Sequence, residues 1–288
     1  MKKGFTLAEI LTPKRTSGIE NEVLHSRESE EQVPSRNMVK RYAFTLAELL
    51  ITLAIIGTVA ALTISSVMQN VQKQILYSKF INTYSIMSRA FQLLITDGEV
   101  NSYFAASNFN QSAADDFFEK KLLSHLKYTI KCEARDYNCL GTNNNSIFYK
   151  NLSRTTTNDV YWFGDRRAVY SLPNGADFSY TLVGLVDSNN LGEQQYHYHI
   201  VEVLVDVNGF KKGPNVVGRD YFVFTFLPYI NTLIPTSIEA ININGLNNGR
   251  TPTINEEKVK TSCNPEENNK LSGVSCGLRL LREKKMNY

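Results

Sequence analysis

Residues 44–68 read FTLAELLITLAIIGTVAALTISSVM, and this stretch decides the fold of the chain. It contains one charged residue, Glu48, and no proline. Because a helix needs about 20 apolar residues to cross the hydrocarbon core of a bilayer, the run is long enough to span a membrane. Lys40 and Arg41 precede it, and basic residues next to a span favour the cytoplasmic side. We therefore predict a single-pass membrane segment with the C-terminal part of the chain outside the cytoplasm.

The apolar run has two simpler alternatives, a cleaved secretory signal and an uncleaved signal anchor. A secretory signal is cut after small residues, and Ala60 and Ala61 offer a weak site of this kind. An anchor accounts for the span but leaves Glu48 unexplained, because a carboxylate in a membrane helix is costly and usually has a partner. The alternative account places Glu48 at the interface, among the lipid headgroups.

The residues around Glu48 also resemble a processing signal. Ala43-Phe44-Thr45-Leu46-Ala47-Glu48, preceded by basic residues and followed by an apolar helix, resembles the prepilin cleavage signal of type IV pilins and type II secretion pseudopilins. The resemblance implies cleavage between Ala43 and Phe44, N-methylation of Phe44, and an assembly role in which Glu48 neutralises the new α-amino group of a neighbouring subunit. The family normally has glycine before the cut, and Ala43 departs from this pattern.

The same resemblance implies a fold and a function. The fold is α+β, with a long N-terminal transmembrane and amphipathic helix packed on an antiparallel β-sheet domain. The function is that of a non-enzymatic structural subunit, a pseudopilin or minor pilin. It would sit in the inner membrane and then in a filament. Implied partners are homologous pilin subunits, prepilin peptidase, the inner-membrane assembly platform and membrane lipid. The net charge of +3 gives no compositional reason to expect nucleic acid.

Two other functions stay open at this stage. A minor pilin at a filament tip binds DNA or a surface ligand, and the aromatic stretch Tyr161-Trp162-Phe163 with Arg166 and Arg167 suits such a surface. The same stretch equally suits a core strand that ends in a solvated turn. A membrane-anchored extracellular enzyme is the third possibility, although no catalytic constellation stands out in the sequence.

The first 43 residues form the predicted leader. Residues 4–11, GFTLAEIL, are a second copy of the processing motif, but Pro13-Lys14-Arg15 follows in place of a membrane span. We interpret this copy as a truncated duplicate and expect residues 1–37, which are mostly charged and polar, to be disordered. Met38 offers an alternative start for a short basic leader.

Beyond residue 68 the apolar residues thin to helical spacing. Steps of three and four residues place six of them on one face, namely Leu76, Phe80, Tyr84, Met87, Phe91 and Leu94. Asp97-Gly98 provides a stop signal. We therefore predict that residues 69–97 continue the helix and bury one face against a globular, β-rich domain at residues 98–288.

The globular domain is predicted from short patterns. Asp115–Tyr128 is expected to be helical, with Phe118, Leu122, Leu123 and Leu126 on one side. Turn signals and alternating apolar residues predict strands at Asp159–Phe163, Ala168–Leu172, Phe178–Val186, Tyr196–Val207, Tyr221–Phe226 and Ser237–Ile243. An antiparallel sheet against the long helix accommodates these elements.

Four cysteines fall into two local pairs. In an exported chain the even count predicts two disulfides, Cys132–Cys139 and Cys263–Cys276. A four-cysteine zinc site is the alternative, but the spacings are wider than the usual knuckles.

The loop from Asp206 to Asp220 is rich in oxygen ligands. Asp206, Asn208, Asn215 and Asp220 are the candidate ligands of a calcium ion, and some members of the resembled family hold calcium in a nearby loop. The alternative is a glycine-rich turn in which these side chains cap backbone amides. His197 and His199 lie two residues apart and begin a metal site only if a third ligand joins them. Packed or hydrogen-bonded histidines are the alternative.

Overall fold

The computed structural model describes residues 44–98, 100, 111–141, 147–155, 157–163, 167–186, 197–243 and 251–288. The predictions for Ala43, for the second copy of the motif and for Met38 concern residues outside these ranges. The chain divides into two compact units, Met1–Ala54 and Ile55–Tyr288. The sheet, the disulfides and the cavities described below all belong to the second unit.

Helix α1 runs from Leu46 to Thr96. It extends through Gly57 and the serine pair Ser65-Ser66, because no proline removes a backbone donor along its length. The prediction of a long helix ending near Asp97 is confirmed, with an end at Thr96 and a turn at Asp97. Among the described residues α1 is long and apolar enough to cross a membrane, by length and composition alone.

The second half of α1 buries the face that the spacing predicts. Phe80, Met87, Phe91 and Leu94 are at most 1 % exposed, and Leu76 and Tyr84 pack partly buried against the same core.

Aromatic contacts join this face to the sheet. The ring centroids of Phe80 and Phe222 lie 4.6 Å apart, and those of Phe91 and Phe226 lie 4.5 Å apart. Burial of large apolar side chains is the main favourable term in folding, so this seam fixes the helix on the sheet.

A second helical segment follows α1. It consists of α2 (Gln111–Phe117), a π-helical turn (Phe118–Leu122) and α3 (Leu123–His125). The predicted apolar side of Phe118, Leu122, Leu123 and Leu126 is buried. The Phe118 ring stacks on Tyr180 with centroids 4.0 Å apart, which ties this segment to the sheet.

The main sheet of the described residues has the strand order β1-β4-β5-β6-β7-β8, and each neighbouring pair is antiparallel. Its strands are β1 (Ile130–Cys132), β4 (Val169–Ser171), β5 (Asp177–Val186), β6 (His197–Asp206), β7 (Tyr221–Leu227) and β8 (Thr232–Ile234). A helix α4 (Tyr137–Leu140) follows β1. Two small pairs, β2 (Ile147–Lys150) with β3 (Thr157–Phe163) and β9 (Ile241–Asn242) with β10 (Thr253–Ile254), complete the strands.

Both faces of the central strands are covered. Val201, Val203 and Val205 of β6 face the core under α1. Leu204 and Val223 lie in a second apolar cluster that contains Tyr149 and Leu140. Residues from both sides of β6 are buried for this reason, although alternation in the sequence predicts one buried face only.

The predicted strand Ser237–Ile243 is wrong in its first half. Residues Ile238–Ala240 form a 3-10 turn, and only Ile241–Asn242 is strand. Ser237 caps the turn, because its hydroxyl accepts a hydrogen bond from the Glu239 amide at 3.3 Å.

The C-terminal part packs against α1. Asn255 caps helix α5 (Glu256–Ser262), because its side chain accepts a hydrogen bond from the Lys258 amide. Helix α6 (Cys276–Glu283) follows after a loop. A Cβ added at Gly277 would lie 2.6 Å from the Pro235 carbonyl oxygen and 3.3 Å from the Phe80 ring. Glycine at this position allows α6 to approach both elements closely.

Candidate functional site

The first turn of α1 contains a reciprocal cap between Thr45 and Glu48. The amide and the hydroxyl of Thr45 donate to Glu48 Oε2 at 2.8 and 2.9 Å, and the Glu48 amide donates to Thr45 Oγ1 at 3.2 Å. Such a capping box satisfies amide donors that have no partner within the helix. This cap was not expected from the sequence, although the spacing Thr-x-x-Glu is its signal.

The cap holds the Glu48 carboxylate at the start of an uncovered apolar surface. Phe44 is 81 % exposed and Leu46 is 76 % exposed, and large apolar residues stay exposed as far as Ile75. Apolar surface of this extent marks contact with lipid or with another protein. The Glu48 side chain at the start of this surface is exposed as well.

The predicted cysteine pairs lie at disulfide distance. Cys132 and Cys139 are bonded with 5.6 Å between their Cα atoms, and Cys263 and Cys276 are bonded with 4.9 Å. The first pair links β1 to α4. The second pair links the end of α5 to the start of α6, and both of its residues are fully buried.

The loop between β6 and β7 brings the four candidate calcium ligands into one hydrogen-bonded turn. Asp206 accepts from the Tyr149 hydroxyl at 2.8 Å and from the Asn208 amide at 3.1 Å. Asp220 accepts from the amides of Asn215 and Val216, each at 2.7 Å. All four carboxylate oxygens therefore have a donor within the chain.

The asparagines of the loop are oriented by carbonyl groups. Asn208 Nδ2 donates to the carbonyl oxygens of Lys212 and Gly213, and Asn215 Nδ2 donates to that of Phe210. Their Oδ1 atoms are buried and lack a hydrogen-bond partner in the described part of the chain. These two amide oxygens are the acceptors that a cation or a water molecule would find free.

Burial raises the pKa of both carboxyl groups. The pKa of Asp220 rises to about 6, because desolvation outweighs its amide hydrogen bonds. The pKa of Asp206 is also raised, first by desolvation and then by the charge of Asp220.

The side-chain oxygens of this loop fit a capped turn better than a calcium site. The described residues contain no group of three or more His, Cys, Asp or Glu side chains that could hold a metal ion. Each carboxylate oxygen already orients a loop amide or a tyrosine hydroxyl, and only the two amide oxygens are unused. Asp206 and Asp220 therefore orient the loop through hydrogen bonds within the chain, and the calcium interpretation stays a prediction.

Other predicted sites fall outside what the structure describes. In the pairing of β5 with β6, His197 lies opposite Val186 and His199 lies opposite Gly184. The two histidine side chains lie outside the part of the chain that the structure describes. The same holds for Tyr161-Trp162-Phe163, whose backbone lies in β3, and Arg166 lies outside the described ranges altogether. The metal and ligand-binding interpretations of these residues stay predictions.

Compared with known proteins, the chain matches no family model, no curated protein sequence and no solved structure.

Proposed function

We propose that the chain is a structural subunit, a pseudopilin or minor pilin, of a type IV pilus-like filament or a type II secretion pseudopilus. Its leader is removed between Ala43 and Phe44. The mature subunit resides in the inner membrane and is then assembled into the filament, where the first half of α1 contacts neighbouring subunits.

The observation that carries the proposal is the change in character along α1. From Leu46 to Ile75 the helix leaves its large apolar side chains exposed, and from Phe80 onward it buries one face against the sheet. Exposure of this much apolar surface to water is unfavourable, so lipid or neighbouring helices must cover the first half of α1. A subunit that moves from a bilayer into a helical filament core has this surface covered first by lipid and then by neighbouring helices.

Glu48 supports a filament over a plain anchor. A carboxylate at the end of an apolar helix adds nothing to anchoring and is unfavourable in hydrocarbon. Its resemblance to the glutamate of the prepilin signal supplies a partner, the α-amino group that cleavage creates on a neighbouring Phe44. The opposite charge compensates the loss of hydration when both groups enter the filament.

The proposal is tested by fractionating cells of the native host. Filaments are sheared from the surface, or overproduced as a pseudopilus, and probed for the chain. Ala43→Leu should block processing and keep the protein in the membrane, whereas Ala43→Gly restores the family's usual residue and should allow incorporation. Recovery of Ala43→Leu in filaments at wild-type levels would refute the proposal, as would absence of the wild-type chain from every filament fraction.

A further inference from the structure

A basic cleft of about 910 Å³ lies in the second unit, beside the middle of α1. Its cationic side chains come from three segments: Lys73 and Lys79 from α1, Arg154 from the β2–β3 connection, and Lys212 and Arg219 from the β6–β7 loop. Among the described residues that line the cleft, none is Asp or Glu. A concave surface with several cations and no lining carboxylate suits an anion.

Arg219 is the best-defined element of the cleft. Its Nε atom is buried and has no hydrogen-bond partner among the described residues. Burial and the charge of Arg154 both lower the pKa of Arg219. Asp220 attracts both guanidinium groups, but its two oxygens already accept the amides of Asn215 and Val216. The cleft thus holds the like charges of Arg154 and Arg219 together, an arrangement that a bound anion would stabilise.

The position of the cleft along the chain indicates the source of the anion. Its wall on α1 begins at Gln69, one residue after the apolar run ends at Met68. When that run lies in a bilayer, the next turns of the helix emerge at the level of the headgroups. Apolar side chains of Ile75, Leu76 and Met286 line the same cleft and suit the glycerol and upper acyl carbons of a lipid.

We propose that this cleft binds the phosphate of an anionic phospholipid headgroup, of the phosphatidylglycerol class, while the subunit resides in the membrane. The anion chemistry rests on the cleft alone, whereas the lipid source rests on the proposed function. Lys73 and Lys79 attract the headgroup, and Arg219 donates to the phosphate oxygens. Lys and Arg side chains clustered next to a membrane segment favour binding to an anionic surface, and each cation adds to the affinity.

The test is a calorimetric titration of the full chain in neutral maltoside detergent. The probes are dihexanoylphosphatidylglycerol, dihexanoylphosphatidylcholine, inorganic phosphate and a short oligothymidylate. We expect saturable binding of the phosphatidylglycerol and little binding of the zwitterionic lipid. Lys73→Gln/Lys79→Gln should weaken phosphatidylglycerol binding about tenfold or more. The matched control, Lys127→Gln/Lys260→Gln, removes the same charge from exposed positions outside the cleft and should bind as the wild type does.

Several outcomes would overturn the proposal. Equal losses in the cleft and control variants would show that net charge alone attracts the lipid. Inorganic phosphate binding as tightly as the lipid would assign the cleft to a free anion, and tighter binding of the oligothymidylate would assign it to nucleic acid. Arg219→Gln provides a second variant on another element, and it should weaken binding in the same way if its circular dichroism matches that of the wild type.

This titration is independent of filament assembly. A chain that binds phosphatidylglycerol but never enters filaments would contradict the proposed function and leave the cleft assignment intact. A chain that enters filaments but shows no selective lipid binding would contradict the cleft assignment alone.

Discussion

Thr45 and Glu48 hydrogen-bond each other in both directions at the start of α1, with the Thr45 amide 2.8 Å from Glu48 Oε2 and the Glu48 amide 3.2 Å from Thr45 Oγ1. Glu48 caps the helix within the chain, and in the proposed function it is also the charge partner of a neighbouring subunit. Substitution of the two residues distinguishes these roles.

Glu48→Ala should leave the sheet domain folded and leader cleavage largely intact but abolish incorporation into filaments, because the neighbour's α-amino group loses its counter-charge. Glu48→Gln should fail less completely, since an amide oxygen still accepts a hydrogen bond. Thr45→Ala should weaken the cap yet keep incorporation, because the carboxylate remains. The measurement is the ratio of filament-bound to membrane-bound protein, with exposed Glu257→Ala as the control.

Wild-type incorporation of Glu48→Ala would return Glu48 to the status of an interfacial residue. If Thr45→Ala abolished incorporation into filaments as completely as Glu48→Ala, the helix cap and not the charge would be the essential feature.

Removal of the two disulfides should have unequal effects. Cys263 and Cys276 are fully buried in the main core and close the longer loop, with a sequence separation of 13 against 7 for the other pair. Cys263→Ala/Cys276→Ala should destabilise the domain by about 2–4 kcal/mol, and Cys132→Ala/Cys139→Ala by less. Thermal unfolding of the full chain in detergent, with non-reducing peptide mapping of the wild type, measures both claims. An equal loss of stability from the two double variants would contradict the ranking, and free thiols or crossed pairs in the wild type would contradict the pairing.

The long helix was predictable because its signal is long and uninterrupted. The apolar run and the face from Leu76 to Leu94 require no knowledge of the partner surface, and α1 ends one residue from the stop signal at Asp97. The short strands β1 and β8 lack such a signal. Each of the two has only three residues, and these form a strand because a neighbouring strand supplies their hydrogen bonds.

Buried polar residues were the least predictable feature of the domain. Glu202 alternates with Val201 and Val203, and the pattern places it on a solvent face. In the structure a second layer covers that face, and Glu202 Oε1 accepts from the Ser237 hydroxyl at 2.9 Å and the Ile238 amide at 2.8 Å. Tertiary partners from distant sequence decide such burial, so local alternation does not reveal it.

Asp220 should make stability depend on pH. Its pKa is 3.8 in an unfolded chain and about 6 in the folded one. Between these values the folded state holds the proton more strongly, so the free energy of unfolding contributed by this group falls as the pH rises through the window. Asp220→Asn cannot ionise and should lack this fall relative to the wild type. The measurement is Tm against pH for the full chain, with Glu257→Gln as the exposed control. Parallel profiles for the wild type and Asp220→Asn would refute the assignment.

The loop from Asp206 to Asp220 should fold without calcium. Its carboxylate oxygens all accept hydrogen bonds from the chain, so chelator should leave the melting temperature unchanged. Thermal unfolding with excess calcium and with chelator measures this. A chelator-induced drop that Asp206→Ala abolishes would show that Asp206, Asn208, Asn215 and Asp220 form a calcium site, with the free amide oxygens of the two asparagines among its ligands.

The identity of the mature N-terminus tests the central claim most directly. N-terminal sequencing and mass spectrometry of the protein from membranes of the native host should find a chain that begins at Phe44 with an N-methylated α-amino group. An intact leader, or a chain cut near Ala61, would contradict the account.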